Sequence, residues 1–341
     1  MTTFNPTMRL GTLVPLLVFA ALAMLPFVAS ALDQSFYVAL FARIIIYAIA
    51  ASALNLALGY GGLVSFGHAL FLGLGSYAVG IPAFHEVSSG WVHLALTLLA
   101  CGVVGYVTGL ISLRTSGIAF IMITLAFAQM GYFLFVSLKQ YGGDDGLSVT
   151  LTSRIGPLDL GDSVTVYFVA LAVLAAVTWW LARLRNAPFG MALRGARQNP
   201  RRVHAVGLPV IRYQLTAYVI SAMLCGLAGM LLANLNAFAS PSTLAWAISG
   251  ELIVMVVIGG MGTVFGPLLG ALAFLGLEEV IKSFTEHWML VFGPLILLIA
   301  LMRNKGLVGL LQSLERRRPV AENGNSPVAA PRVRPAVKGG L

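Results

Sequence analysis

The sequence predicts an all-α, polytopic membrane protein of about ten transmembrane helices with both termini in the cytoplasm. Three observations carry this. Of 341 residues, 59% are hydrophobic and only 10% charged, with a mean hydropathy of +0.91; soluble domains carry about a quarter charged residues. Ten apolar runs approach the roughly 20 residues that cross about 30 Å of hydrocarbon as helix. Lysine and arginine concentrate in alternate connections.

In chain order the runs are 10–29, 36–58, 67–84, 91–112, 117–137, 164–182, 213–235, 247–265, 266–284 and 287–302. The first follows Arg9 and ends near the small residues Val28–Leu32, a pattern that imitates a signal peptide. Its apolar stretch exceeds the about 7–15 residues of a signal h-region, so a retained helix is expected. The third run, with glycines at 67, 73, 75 and 80, should be either broken or closely packed. Only "GGMGTVFG" punctuates the eighth and ninth. Cys101 and Cys225 both sit in apolar runs and read as core residues rather than a disulfide or metal framework.

Orientation follows from charge. With ten alternating helices and a cytoplasmic N-terminus, 17 of the 21 lysines and arginines fall inside, while seven of the twelve acids fall in external segments. The net charge of +9 is therefore explained by topology, since most arginines border apolar runs, and nucleic acid is not an expected partner. The transmembrane domain is drawn over 1–306, and the proline-rich basic tail 307–341 is expected to be disordered in the cytoplasm.

The largest internal connection, 183–212, is not a featureless basic run. Pro188 suits a first helical turn, Asn199 before Pro200 makes an N-cap and N1 pair, and Gly207 followed by Pro209 makes a stop. Two short helices with an elbow near Asn199 are expected, with Val203 and Val206 sharing one face. So small a unit needs a surface to dock on. Three surfaces are available: lipid headgroups, which would serve for an arbitrary basic loop, the protein's own inner face, or a separate protein; the defined caps point to a protein partner.

At this loop, "PFGMALRGARQNPRRVHAVG", the chain resembles the branched-chain amino acid ABC importer permeases. "GGLVSFGHALFLGLGSYAVG", "YGGDDGL" and "IGGMGTVFGPLLGA" resemble three further signatures of that family, in the expected order from the second run to the last. Gln198 departs from the acidic residue common in the family before the asparagine. The resemblance implies a bacterial inner-membrane subunit paired with a second homologous permease, driven by two cytoplasmic ATPase subunits and fed by an external substrate-binding protein. It also implies that Arg194, Arg197, Asn199, Arg201 and Gly207 belong to a coupling helix region seated on the ATPase. ATP and magnesium would then bind to the partner alone, and this chain would carry no cofactor.

Two exclusions agree with that reading. None of the four lysines, Lys139, Lys282, Lys305 and Lys338, completes a phosphate loop of the form G-x-x-x-x-G-K-[ST]. The five histidines show no metal-site spacing, so no catalysis and no metal is assigned.

For the substrate path, Ser65, Gly67, His68, Gly73, Ser76 and Tyr77 offer glycine gaps and polar handles within a membrane segment. The competing reading is helix packing, with His68 donating to a neighbouring carbonyl. Arg43, Glu251, Glu278 and Glu279 are ionisable groups inside or near spans and carry a functional presumption; Arg43 and Glu251 are a candidate pair. Asp144, Asp145, Asp159 and Asp162 lie in the external loop 138–163, a receptor-docking site or an ordinary solvated turn. The importer reading competes with two others, an importer of urea or short amides and an ion-coupled secondary carrier.

Overall fold

The computed structural model of the chain describes residues 10–31, 35–156, 158–285 and a few positions between 287 and 309. Among them nine of the ten predicted runs are helical: α1 (Leu10–Ala31), α2 (Ser35–Asn55), α3 (His68–Phe84), α4 (Gly90–Ser112), α5 (Ile118–Ser137), α6 (Ser163–Asn186), α9 (Val210–Asn236), α10 (Trp246–Gly259) and α11 (Gly266–Phe284). Between α6 and α9 lie the short helices α7 (Pro188–Gln198) and α8 (Pro200–Ala205). Five helices are long and apolar enough to cross a membrane: α2 with its π-helical extension Leu56–Tyr60, α4, α5, α6 and α9. The chain is an all-α polytopic membrane protein. The predicted tenth run and the tail 307–341 lie almost wholly outside the described residues.

Helix α2 forms the axis. Every residue from Ile44 to Tyr60 is buried, beneath α6, α9, α10 and α11. Small residues set how closely its neighbours pack. A Cβ at Gly75 of α3 would overlap the Gly226 carbonyl of α9, and one at Gly229 would overlap the Leu72 carbonyl of α3. Backbone-to-backbone approach of this kind is how membrane helices associate without a hydrophobic driving force between them. The third run is thus closely packed and unbroken, and the irregular backbone precedes it at 61–67.

The eighth run stops short of its predicted end. Helix α10 ends at Gly259, because Gly260 (φ 116°) and Gly262 (φ 77°) adopt backbone angles that end a right-handed helix. Helix α11 then starts at Gly266 with Pro267 in its first turn.

The connections gather at two ends of the bundle. One end holds the π-helical turn, the 113–117 turn, α7, α8 and the 260–265 turn. At the other end two small antiparallel ladders, missed by the sequence reading, tie the long loop down: β1 (Leu147–Ser148) pairs with β4 (Phe238–Ala239), and β2 (Arg154–Ile155) with β3 (Leu158–Asp159).

Candidate functional site

The elbow folds as its punctuation predicts. Pro188 opens α7, which doubles back so tightly that a Cβ at Gly190 would overlap the Leu184 carbonyl. Its buried Leu193 packs with Leu56, Tyr60, Leu181 and Ala217, so α7 is seated on the bundle rather than hanging from it. The Asn199 side chain accepts the Arg202 N–H at 3.1 Å and caps α8. Gly207 (φ 87°) ends the unit. The two valines part company: Val203 packs toward Gly195 of α7, while Val206, beyond the last helical residue, is 80% exposed.

Of the named arginines, Arg194 donates through Nη2 to the Arg185 carbonyl at 2.8 Å, closing the turn between α6 and α7. Arg197 donates through Nη1 to the Gly59 carbonyl in the π-helical turn. Arg201 is exposed.

The π-helical turn is held in its turn by Asn55, which the sequence reading passed over. Its Nδ2 donates to the Thr263 carbonyl at 2.8 Å and its Oδ1 accepts the Gly262 N–H at 2.9 Å. A Cβ at Gly59 would overlap both Asn55 Oδ1 and Gly262 N. Arg197 therefore holds Gly59, and Asn55, four residues earlier on the same helix, holds the turn that begins α11. The available signal was a lone asparagine at the end of an apolar run, four residues before a glycine.

The glycine-rich stretch is placed deep inside. Ser65 is buried and accepts the Gly67 N–H at 3.1 Å. His68 is buried between Phe71 and Tyr218; its Nε2 meets Ser221 Oγ at 2.7 Å, and Ser221 donates on to the Ala53 carbonyl. Ser76 donates to the carbonyls of Leu72 and Gly229, Gly73 lies under Leu244, and the Tyr77 ring stacks on Phe135 with centroids 4.1 Å apart. The first three of these residues gather near α9 at the start of α3. Gly73, Ser76 and Tyr77 lie along α3, each against a different neighbour. His68 Nδ1 and the Tyr77 hydroxyl are buried polar atoms with no hydrogen-bond partner among the described residues.

At the far end, Arg154 and Asp159 form a 3.3 Å ion pair within the β2–β3 hairpin. The Gly161 N–H, the Thr152 hydroxyl and Arg154 hold the Asp159 carboxyl below the usual carboxylate range. Asp144 and Asp145 stand exposed on a turn whose glycines 142, 143 and 146 all have positive φ. Arg43 and Glu251 are not joined by an ion pair: Arg43 is exposed, its guanidinium 5.7 Å from the Tyr47 ring centroid, and the carboxylate paired in that region is Glu278, 2.5 Å from Lys282 Nζ.

The fold and the elbow define a polytopic helical membrane protein with a capped, basic elbow pinned to one end of its bundle. The chain belongs to the family described as the branched-chain amino acid transport system permease component, whose model matches residues 36–301. It is 28% identical over 287 residues to the high-affinity branched-chain amino acid transport system permease protein LivM of Escherichia coli K12, covering 77% of this chain and 68% of that protein. Against the LivH permease protein of the same organism it is 24% identical over 286 residues, covering 77% and 91%. Similarity extends to the L-arabinose ABC transporter permease protein AraH of Azospirillum brasilense, 25% identical over 230 residues and 65% of each chain. No solved structure matches.

Proposed function

We propose that the chain is one permease subunit of an ATP-driven importer of branched-chain or related hydrophobic amino acids, in the cytoplasmic membrane of a bacterium. It pairs with a second homologous permease, receives substrate from an extracytoplasmic binding protein, and is driven by two ATPase subunits that carry ATP and magnesium. No catalytic step and no cofactor is assigned to this chain. The family membership and the LivM and LivH relatives support the substrate class. The arabinose relative shows that similarity at this level spans more than one substrate.

The observation that carries the coupling role is the pair of links Arg197 to Gly59 and Asn55 to Thr263 and Gly262. A push on the elbow reaches the π-helical turn through the Arg197 hydrogen bond, and Asn55, one turn earlier on the same helix, passes it to the turn before α11. Arg194 braces α7, Asn199 and Gly207 fix the ends of α8, and Arg201 is an exposed charge on the elbow that meets the ATPase. Ser65, Gly67, His68, Gly73, Ser76 and Tyr77 are assigned to the path wall. The two unpartnered buried atoms, His68 Nδ1 and the Tyr77 hydroxyl, are the groups there able to exchange a contact with a passing solute.

The test is reconstitution in liposomes with and without the ATPase subunits. Leucine uptake should require both ATP and the ATPase. Arg197→Glu with Arg201→Glu should lower uptake at least tenfold while the permease still inserts in the membrane. Uptake driven by an ion gradient without any ATPase would replace this reading with a secondary carrier.

A further inference from the structure

Beside the elbow lies a groove of about 790 Å³, within the roughly 300–1,000 Å³ of small-molecule sites. Its walls are the irregular stretch that follows the π-helical turn, the turn between α4 and α5, the first turn of α9 and the elbow itself. Most of the lining is apolar, with Leu63, Phe120 and Ile211 prominent. Among the described residues, its ionisable side chains are Arg197, Arg201 and His204, and no carboxylate lines it. Arg197 is engaged by the Gly59 carbonyl, whereas Arg201 has no ion-pair partner among the described residues. Neutral polar atoms come from Ser116 and Gln214.

Such a lining selects by chemistry. An apolar wall with guanidinium groups and no carboxylate favours a small molecule with an apolar body and one carboxylate, and repels a cationic side chain. A hydrophobic amino acid has that chemistry: a carboxylate for Arg201, an ammonium for neutral acceptors such as the Gln214 amide oxygen and the Ser116 hydroxyl, and an apolar side chain for the wall. We infer that the groove is a product site for the transported amino acid on the cytosolic side, and that its occupation slows further import. This rests on the proposed function and adds a site and a regulation to it. A ligand wedged between two walls of the groove, the elbow and the stretch before α3, opposes a stroke that changes their separation.

The experiment uses the complete transporter in nanodiscs with Thr115→Cys as reporter in the groove wall; the native Cys101 and Cys225 are buried. Leucine should slow maleimide labelling about threefold at twice its dissociation constant, lysine should not, and Arg201→Gln should abolish the protection while Arg201→Lys retains part of it. Vesicles preloaded with leucine should import more slowly than vesicles preloaded with lysine. Labelling indifferent to leucine, or slowed equally by lysine, overturns the site. Protection by short-chain phosphatidylglycerol and not by leucine overturns it in favour of a lipid headgroup. If leucine uptake by the reporter transporter is intact while leucine gives no protection, the product site alone has failed; if no hydrophobic amino acid is taken up at all, the proposed function has failed with it.

Discussion

Asn199 and Gly207 decide whether the elbow exists as a helix. Helix α8 has six residues, far too few to persist on propensity alone, so its two ends matter more than its middle. Removing the Asn199 cap costs about 0.5–2 kcal/mol. At Gly207 nothing lies within 4 Å of an added Cβ, so the cost of Gly207→Ala is purely that of holding an L-residue at φ 87°, roughly 1–2 kcal/mol. Either change should loosen the elbow and leave the bundle intact. Trypsin cleavage at Arg201 and Arg202 should rise by roughly tenfold per 1.4 kcal/mol lost, at an unchanged thermal midpoint, and Asn199→Asp should behave as wild type because aspartate caps equally well. These residues were legible in the sequence because capping is a local act. Asn55 was not, because its two partners lie 207 and 208 residues further along the chain.

Among the elements, helix existence was legible and helix contact was not. Length and hydropathy are properties of a run, which is why nine runs reappear as helices among the described residues. Hydropathy continues past Gly259 through Met261, Val264 and Phe265, so only backbone angles show where α10 stops. The glycine-rich third run illustrates the limit: spacing left both packing and pathway open, and the structure supplies packing partners for Gly73, Gly75 and Gly80. Glycines that look alike in sequence should therefore differ sharply on substitution. Gly229→Val sets a side chain against the Leu72 carbonyl, backbone that cannot yield, and forces α9 away from α3; little monodisperse protein should survive extraction in detergent. Gly276→Ala on α11 meets nothing within 4 Å and gains up to about 1 kcal/mol of helix propensity, so its thermal midpoint should match or exceed that of wild type. A loss at Gly276 as large as at Gly229 would mean that backbone contact is not what sets the α3–α9 approach.

Across the whole molecule, charge and contact agree on a division that neither was chosen to fit. The turns expected inside, after the second, fourth, sixth and eighth runs, meet at one end of the bundle: the Arg197 and Asn55 hydrogen bonds link three of them, and the turn after the fourth lines the groove beside the elbow. The connections after the third, fifth and seventh runs, the first two of them acidic, meet at the other end, where β1 pairs with β4 and the Arg154 N–H reaches the Ser88 carbonyl at 2.8 Å. Had one run been miscounted, a basic turn and an acidic turn would share an end. The positive-inside rule predicts that the basic end faces the cytoplasm, the side on which the proposed ATPase would act. Cysteines placed at the exposed positions Ala205 and Asp145 make this measurable with an impermeant maleimide. In intact cells Asp145→Cys should label and Ala205→Cys should not, and permeabilisation should equalise them. Labelling of Ala205→Cys from outside would put the elbow on the side without ATP, and a motor-driven stroke through Arg197 would then have no source.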